Sequence, residues 1–161
     1  MRTRLRFHPF VLDGVVVANN SWGGGGYSKA LEQAIQAAIE AGIVFVAAAG
    51  NNASNNDLVP YYPASLPLEN LVAVAASTRT DDRWTFANYG PASVDLFAPG
   101  LAVYSTASGG DSAYESRNGS SMAAAHVSGA LALMRQQSPG STCAEILAAL
   151  RRAVDFKSAF A

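Results

Sequence analysis

Short apolar runs and one amphipathic stretch alternate along the first half of the chain. Val15 to Ala18 is uninterrupted and apolar, as buried strands of parallel sheets are. From Ser28 the period changes. Leu31, Ala34, Ile35, Ala38 and Ile39 fall on one helical face, with Lys29, Glu32, Gln36 and Glu40 elsewhere. Ser28 is placed to cap that helix and Gly42 to end it. Ile43 to Ala49 is a second strand, stopped by Gly50-Asn51. Strand, helix, strand predicts a right-handed parallel crossover. Leu71 to Ala76 and Val94 to Ala98 are two further strands, the last stopped by Pro99-Gly100. Two helices close the chain. One runs from near Ser121 to about Gln137. The other opens at Thr142, whose partner Glu145 stands three residues on, as a capping box requires. Ile146, Leu147, Leu150 and Val154 give it an apolar face. The expectation is an α/β fold, a parallel sheet with flanking helices, over residues 15–161, with residues 1–14 irregular.

Composition narrows the class. Half of the 161 residues are hydrophobic and 14% are charged, a balance that supports a packed core and opposes disorder. A net charge of −1 gives no electrostatic basis for binding nucleic acid or an anionic membrane. Arg2, Arg4 and Arg6 form the one basic cluster and read as a solvated terminus. No apolar run is long enough to span a bilayer. His8, Pro9 and Asp13 interrupt anything like a signal-peptide stretch, so export is not supported and the compartment stays open. Cys143 has no disulfide partner and is expected to pack as a small hydrophobe. Asn19, Asn52 and Asn118 each begin an N-x-S/T triplet, read as chance without a secretory signal.

Three segments carry candidate chemistry. The first is Gly119-Ser120-Ser121-Met122-Ala123. A serine hydroxyl needs a base to take its proton and donors to stabilise the oxyanion it creates. A helix N-terminus offers unpaired N–H groups and a positive dipole end. Spacing alone favours the plainer reading, in which Ser120 or Ser121 caps a helix. The second is Asn51, after the AAAG that ends a buried strand. Ligands bind outside the carboxyl ends of parallel strands. A side-chain amide there can donate to an oxyanion, though Gly-Asn-Asn is also ordinary turn chemistry. The third is Ser21-Trp22-Gly23-Gly24, which could pair with an extended peptide or serve as a turn with one aromatic anchor. The pentapeptide around Ser121 lacks the last glycine of the hydrolase elbow G-x-S-x-G, and GGGGYSKA lacks the Gly-Lys-Ser/Thr of a phosphate loop.

In order, NNSWGG, AAAGN, YYPAS, DLFAPG and NGSSMAAAHVSG resemble the segments of the subtilisin-like serine peptidases, the subtilases. The likeness runs from about Val15 onward. Its most specific piece, GSSMAAAHV, is similar to the family's G-T-S-M-A-x-P-H-V. The resemblance implies an endopeptidase in which Ser121 is acylated. Asn51 and the Ser121 backbone N–H would form the oxyanion hole. Ser21, Trp22 and Gly23 would flank an extended polypeptide substrate. Ala48, Ala49 and Gly50 would line the primary specificity pocket, with a large apolar residue preferred before the scissile bond. The family often binds calcium; Asp57, Asp81 and Asp82 show no ligand-like spacing, so no site is assigned.

The chain also departs from the family pattern. Ser120 replaces threonine. Ala125 replaces proline and predicts a tighter first helical turn. The family's D-S/T-G and H-G-T-H motifs should precede NNSWGG, in the chain order Asp, His, Ser, and neither is present. His8 and Asp13 lie outside any such motif. His126 is expected to be a packed helix histidine facing away from Ser121. Without a base, Ser121 stays protonated and weakly nucleophilic. The reading is therefore a partial subtilase catalytic domain with its N-terminal strands missing. The alternatives are a non-catalytic peptide-binding module or one half of a split peptidase. A missing neighbouring strand would expose the Val15–Ala18 edge, open to a complementing N-terminal fragment or to self-association.

Overall fold

Residues 14–157 are described by the computed structural model. Strands β1 (Val17–Asn20), β2 (Val44–Ala48), β3 (Leu71–Ser77) and β4 (Leu96–Pro99) form one parallel sheet in the order β1-β2-β3-β4. Helix α1 (Lys29–Glu40) connects β1 to β2. A two-stranded antiparallel hairpin, β5 (Val103–Thr106) and β6 (Tyr114–Arg117), follows β4. Helices α2 (Ser120–Gln137) and α3 (Cys143–Ala153) complete the described residues.

The uninterrupted apolar strands are explained by burial on both faces of the sheet. Side chains alternate along β2. Phe45 and Ala47 point to one face and pack with Ile35 and Ile39 of α1, together with Leu71 and Ala73 of β3. Val44, Val46 and Ala48 point to the other, where Ala123, Ala124, Val127 and Leu131 of α2 and Ile146, Leu147 and Leu150 of α3 cover them. The result is three layers, α1 on one side of the sheet and α2 with α3 on the other. Cys143 is buried in the second cluster, as expected, and its thiol donates to the Gly42 carbonyl at 3.0 Å.

Local signals placed the helix ends well. The Ser28 hydroxyl accepts from the Leu31 N–H at 3.3 Å. Thr142 and Glu145 make both halves of a capping box. Two strand boundaries differ from the sequence expectation. The first strand is Val17–Asn20, shifted toward the asparagines. Its register, Val17 opposite Val44 through Asn20 opposite Ala47, is set by β2 and overrides the low strand preference of asparagine. β1 is also only half-buried, because among the described residues it pairs with β2 alone. The fourth strand is Leu96–Pro99 rather than Val94–Ala98. Pro99 sits opposite Ser77 at the strand's end, on an edge strand where proline is tolerated.

Candidate active site

β2 ends at Ala48, and the chain turns through Gly50 into Asn51. Gly50 has φ +107°, and a Cβ there would lie 2.4 Å from the Asn88 amide nitrogen, so only glycine fits. Asn88 is buried and uses its whole hydrogen-bonding capacity on this loop. Its Nδ2 donates to the Ala49 carbonyl at 3.0 Å and to Asn56 Oδ1 at 2.9 Å. Its Oδ1 accepts from the N–H groups of Asn52 at 2.7 Å and Ser54 at 3.2 Å. Buried Asn56 adds a bond from its Nδ2 to the Ala49 carbonyl at 2.9 Å. Asp57 fastens the far end of the loop, accepting from the Ser93 hydroxyl at 2.6 Å and the Ala92 N–H at 3.2 Å. The Ser93 bond, followed by the backbone N–H groups, holds the Asp57 carboxyl below its ordinary pKa. Sequence reasoning missed Asn56 and Asn88. Asn56 stands in the polar run of residues 51–57 and Asn88 among the aromatics of residues 84–90, and in either setting an asparagine that organises a turn looks like one that faces water.

The same end of the sheet receives the start of α2. Gly119 occupies the cap position with φ 140°, and no side chain caps this helix. That observation removes the reading of Ser120 or Ser121 as an N-cap. The two serines do different work. The buried Ser120 hydroxyl accepts from the Gly50 N–H at 3.1 Å, and the Ser120 N–H donates to Asn51 Oδ1 at 2.8 Å. A backbone donor requires the carbonyl end of the amide, so the Asn51 NH2 is the end that Ser120 leaves unused. Gly119 makes the approach feasible, since a Cβ there would meet Asn51 Nδ2 at 3.1 Å. Asn51 and Ser121, seventy positions apart in the chain, thus converge within one residue of each other.

Ser121 is half-exposed. Its hydroxyl donates to the Ser21 carbonyl at 3.0 Å, and the Ser21 hydroxyl donates to the Ser121 carbonyl at 2.8 Å. Among the described residues no imidazole or carboxylate bonds to the Ser121 hydroxyl. The helix runs unbroken through Ala125, and the N–H groups of Met122 and Ala123 both reach the Gly119 carbonyl, at 3.1 and 3.4 Å. Beside Ser121 lies an open groove of about 1080 Å³ between α2 and the β5–β6 hairpin, lined by Ser21, Tyr104, Met122, His126 and Leu133 among others.

The other candidates are distributed unevenly. Trp22 is half-exposed next to Ser21, and Gly23 packs against Tyr61, whose ring a Cβ at Gly23 would strike at 2.3 Å. The Ala48 and Ala49 methyls belong to the core cluster, and Gly50 is buried beside them; none of the three lines the groove. His126 corrects the sequence expectation. It is exposed, bonds through Nδ1 to the Met122 carbonyl at 2.9 Å, and shares the groove with Ser121. The reason is that α2 covers the sheet with only one of its apolar sides. His8 and Asp13 lie outside the described residues. Among the described residues, no three His, Cys, Asp or Glu side chains group to hold a metal ion. Asp57, the acid with the most defined partners of the three considered for calcium, spends both oxygens on Ala92 and Ser93.

A model of the subtilase family matches residues 6–159. The chain belongs to the subtilase family. Among curated subtilases it is 44% identical over 132 residues to the subtilisin-like serine protease Pen ch 18 of Penicillium rubens, covering 82% of this chain and 26% of the relative. It is 47% identical over 118 residues to cerevisin of Saccharomyces cerevisiae, covering 73% and 18%. Two solved structures share this subtilase fold. A cold-adapted subtilisin-like serine proteinase superposes with a TM-score of 0.77 at 37% identity, covering 89% of this chain and 50% of that one. A protease of Pseudoalteromonas arctica gives 0.78 at 35%, covering 88% and 44%. The chain therefore spans about a quarter or less of these curated relatives and half or less of these solved chains.

Proposed function

We propose that this chain supplies the nucleophile half of a subtilisin-type serine endopeptidase, and that another polypeptide segment supplies the aspartate and histidine. The observation that carries the reading is the convergence of the Asn51 amide on the first turn of α2, with Ser121 half-exposed beside it. In the peptidase reaction the Ser121 Oγ attacks the scissile carbonyl as a base removes its proton. The Asn51 NH2 and the Ser121 N–H, at the positive end of the α2 dipole, stabilise the oxyanion. In subtilisin itself, losing such an amide lowers turnover by about 10²–10³. The extended substrate lies along Ser21, Trp22 and Gly23. Ala48, Ala49 and Gly50 contribute the wall of the specificity pocket mainly as backbone. Polypeptide is the substrate, and neither nucleic acid nor membrane is a partner.

The complementing segment has a defined place to dock. β1 is an open edge. Beside it, α2 carries no Asp, Glu, Lys or Arg from Ser120 to Met134, yet Ala125, Gly129, Ala130 and Leu133 are exposed. Apart from His126, that exposed side lacks the polar residues a solvated helix face carries. The matched solved chains are about twice as long as this one, and the proposed complementing segment corresponds to part of that further length.

The engaged Ser121 hydroxyl favours a second reading, a peptide-binding module that keeps the groove without hydrolysis. A fluorophosphonate probe separates the two. Labelling that is lost in Ser121→Ala, and that rises when a subtilase N-terminal half is supplied, supports the split peptidase. Peptide binding with no labelling under either condition overturns it in favour of the module.

A further inference from the structure

We infer that Asn19, Ser21 and Ser128 form a hydrogen-bonded positioning chain that fixes Ser121 against β1. The chain is continuous. The Ser128 hydroxyl donates to Asn19 Oδ1 at 3.0 Å. Asn19 Nδ2 donates to Ser21 Oγ at 3.0 Å. Ser21 Oγ donates to the Ser121 carbonyl at 2.8 Å, and Ser121 Oγ returns a bond to the Ser21 carbonyl at 3.0 Å. The inference rests on the reading of Ser121 as the nucleophile.

Proton accounting gives the chain one polarity. Ser21 has a single hydroxyl proton. If that proton goes to the Ser121 carbonyl, the lone pair of Ser21 Oγ must face a donor, so Asn19 presents its NH2. The Asn19 carbonyl oxygen then faces Ser128, which must donate. Ser128 shares its proton between Asn19 Oδ1 and the Ala124 carbonyl at 2.8 Å, so the far end of the chain is itself anchored one turn along α2. Reversing the Asn19 amide would draw the Ser21 proton to Asn19 and release the Ser121 carbonyl. The residues come from two segments, the end of β1 with the residue after it and the first three turns of α2. The chain therefore sets the distance and rotation between them. It also holds the Ser21 carbonyl where it takes the resting proton of the nucleophile.

In sequence Asn19 reads as the start of a glycosylation triplet and Ser21 as a substrate-flanking residue, and nothing singles out Ser128. The geometry makes all three positioning residues, because each acts on the cleft through Ser121. Asn19→Asp is the sharpest variant. It is isosteric, but an ionised carboxylate only accepts, so Ser21 must turn its proton away from Ser121. Ser128→Ala removes the anchor, and Ser128→Thr keeps the hydroxyl.

The test uses the full chain and two readouts, the rate of Ser121 modification by a fluorophosphonate and hydrogen–deuterium exchange over residues 120–125. Asn19→Asp at neutral pH and Ser128→Ala are each expected to slow labelling about fivefold, the equivalent of one net hydrogen bond, and to raise exchange in the first turn of α2. Ser128→Thr is expected to restore both. Unchanged labelling and exchange in Asn19→Asp and Ser128→Ala would overturn the inference. So would equal losses in Ser128→Ala and Ser128→Thr, which would mean that bulk at the site matters and the hydroxyl does not. A wild-type chain that is never labelled, even when a subtilase N-terminal half is supplied, sinks the nucleophile reading. In that case raised exchange in the variants, rescued by Ser128→Thr, still supports the positioning chain.

Discussion

Ser120 and Ser121 are chemically alike and adjacent, yet the fold gives them opposite environments. Ser120 is 1% exposed and satisfies the N–H of Gly50. Ser120→Ala leaves that buried donor unpaired, so a loss of about 1–3 kcal/mol is expected in chemical denaturation. Ser120→Thr keeps the hydroxyl and should cost much less. The buried asparagine is a stronger case. Asn88→Asp puts a second oxygen against the Ala49 carbonyl and Asn56 Oδ1, two acceptors that now receive a donor. About 3 kcal/mol or more of destabilisation is expected, with loss of order in the Asn51 loop seen by hydrogen exchange. A stable Asn88→Asp protein with an unchanged loop would contradict this account. The importance of Asn88 was illegible in sequence, because nothing local distinguishes a buried asparagine from a solvated one. The turn at Gly50 and Asn51 was legible, because a glycine and an asparagine stop a buried strand there.

At the scale of elements, α2 and α3 illustrate two kinds of stabilisation. α3 is held locally. Thr142 N–H donates to Glu145 at 2.7 Å, and this bond, followed by the Thr142 hydroxyl, lowers the Glu145 pKa. A carboxylate with a depressed folded-state pKa adds stability that is present above its unfolded pKa and is lost as pH falls through the folded value. Glu145→Gln should therefore flatten the acid limb of the melting-temperature profile below the ordinary glutamate range of about 4.3. An acid limb identical to wild type would count against the capping box. α2 has no side-chain cap and is held by packing. Leu131 is fully buried against the sheet, and Leu131→Ala is expected to cost about 2–5 kcal/mol in urea or guanidinium unfolding. The β5–β6 hairpin escaped the sequence reading altogether. Its strands are mostly exposed and polar, and the Gly109-Gly110 turn signal sits inside a seven-residue connection, residues 107–113, instead of the two-residue loop it usually marks. What marks it in three dimensions is the diagonal Tyr104–Tyr114 stack, centroids 5.5 Å apart, a pairing that exists only once the strands meet.

For the whole molecule the governing feature is uncovered apolar surface. Among the described residues β1 pairs on one side only, and α2, which packs against β1, exposes a side without Asp, Glu, Lys or Arg. An unpaired strand edge recruits other strands, and a contiguous apolar face recruits cover. The 161-residue chain is therefore expected to self-associate at micromolar concentration. Leu133→Lys, on the exposed side of α2, should shift it toward monomer in light scattering without lowering its melting temperature. A wild-type chain that runs as a monomer and melts cooperatively would refute this.

The chain by itself determined the alternation of strands and helices, the caps of α1 and α3, and the family, because these depend on periodicity and on residues a few positions apart. Tertiary structure decided what depends on distant pairing. β2 drew Asn19 and Asn20 into β1. The core on one side of α2 left His126 in the groove rather than packed. The meeting of Asn51, Ser21 and Ser120 decided which of two neighbouring serines is buried support and which faces the cleft. The physical reason is that hydrogen-bond satisfaction and burial are properties of where chain segments meet, and a linear pattern records a residue's chemistry without its neighbours.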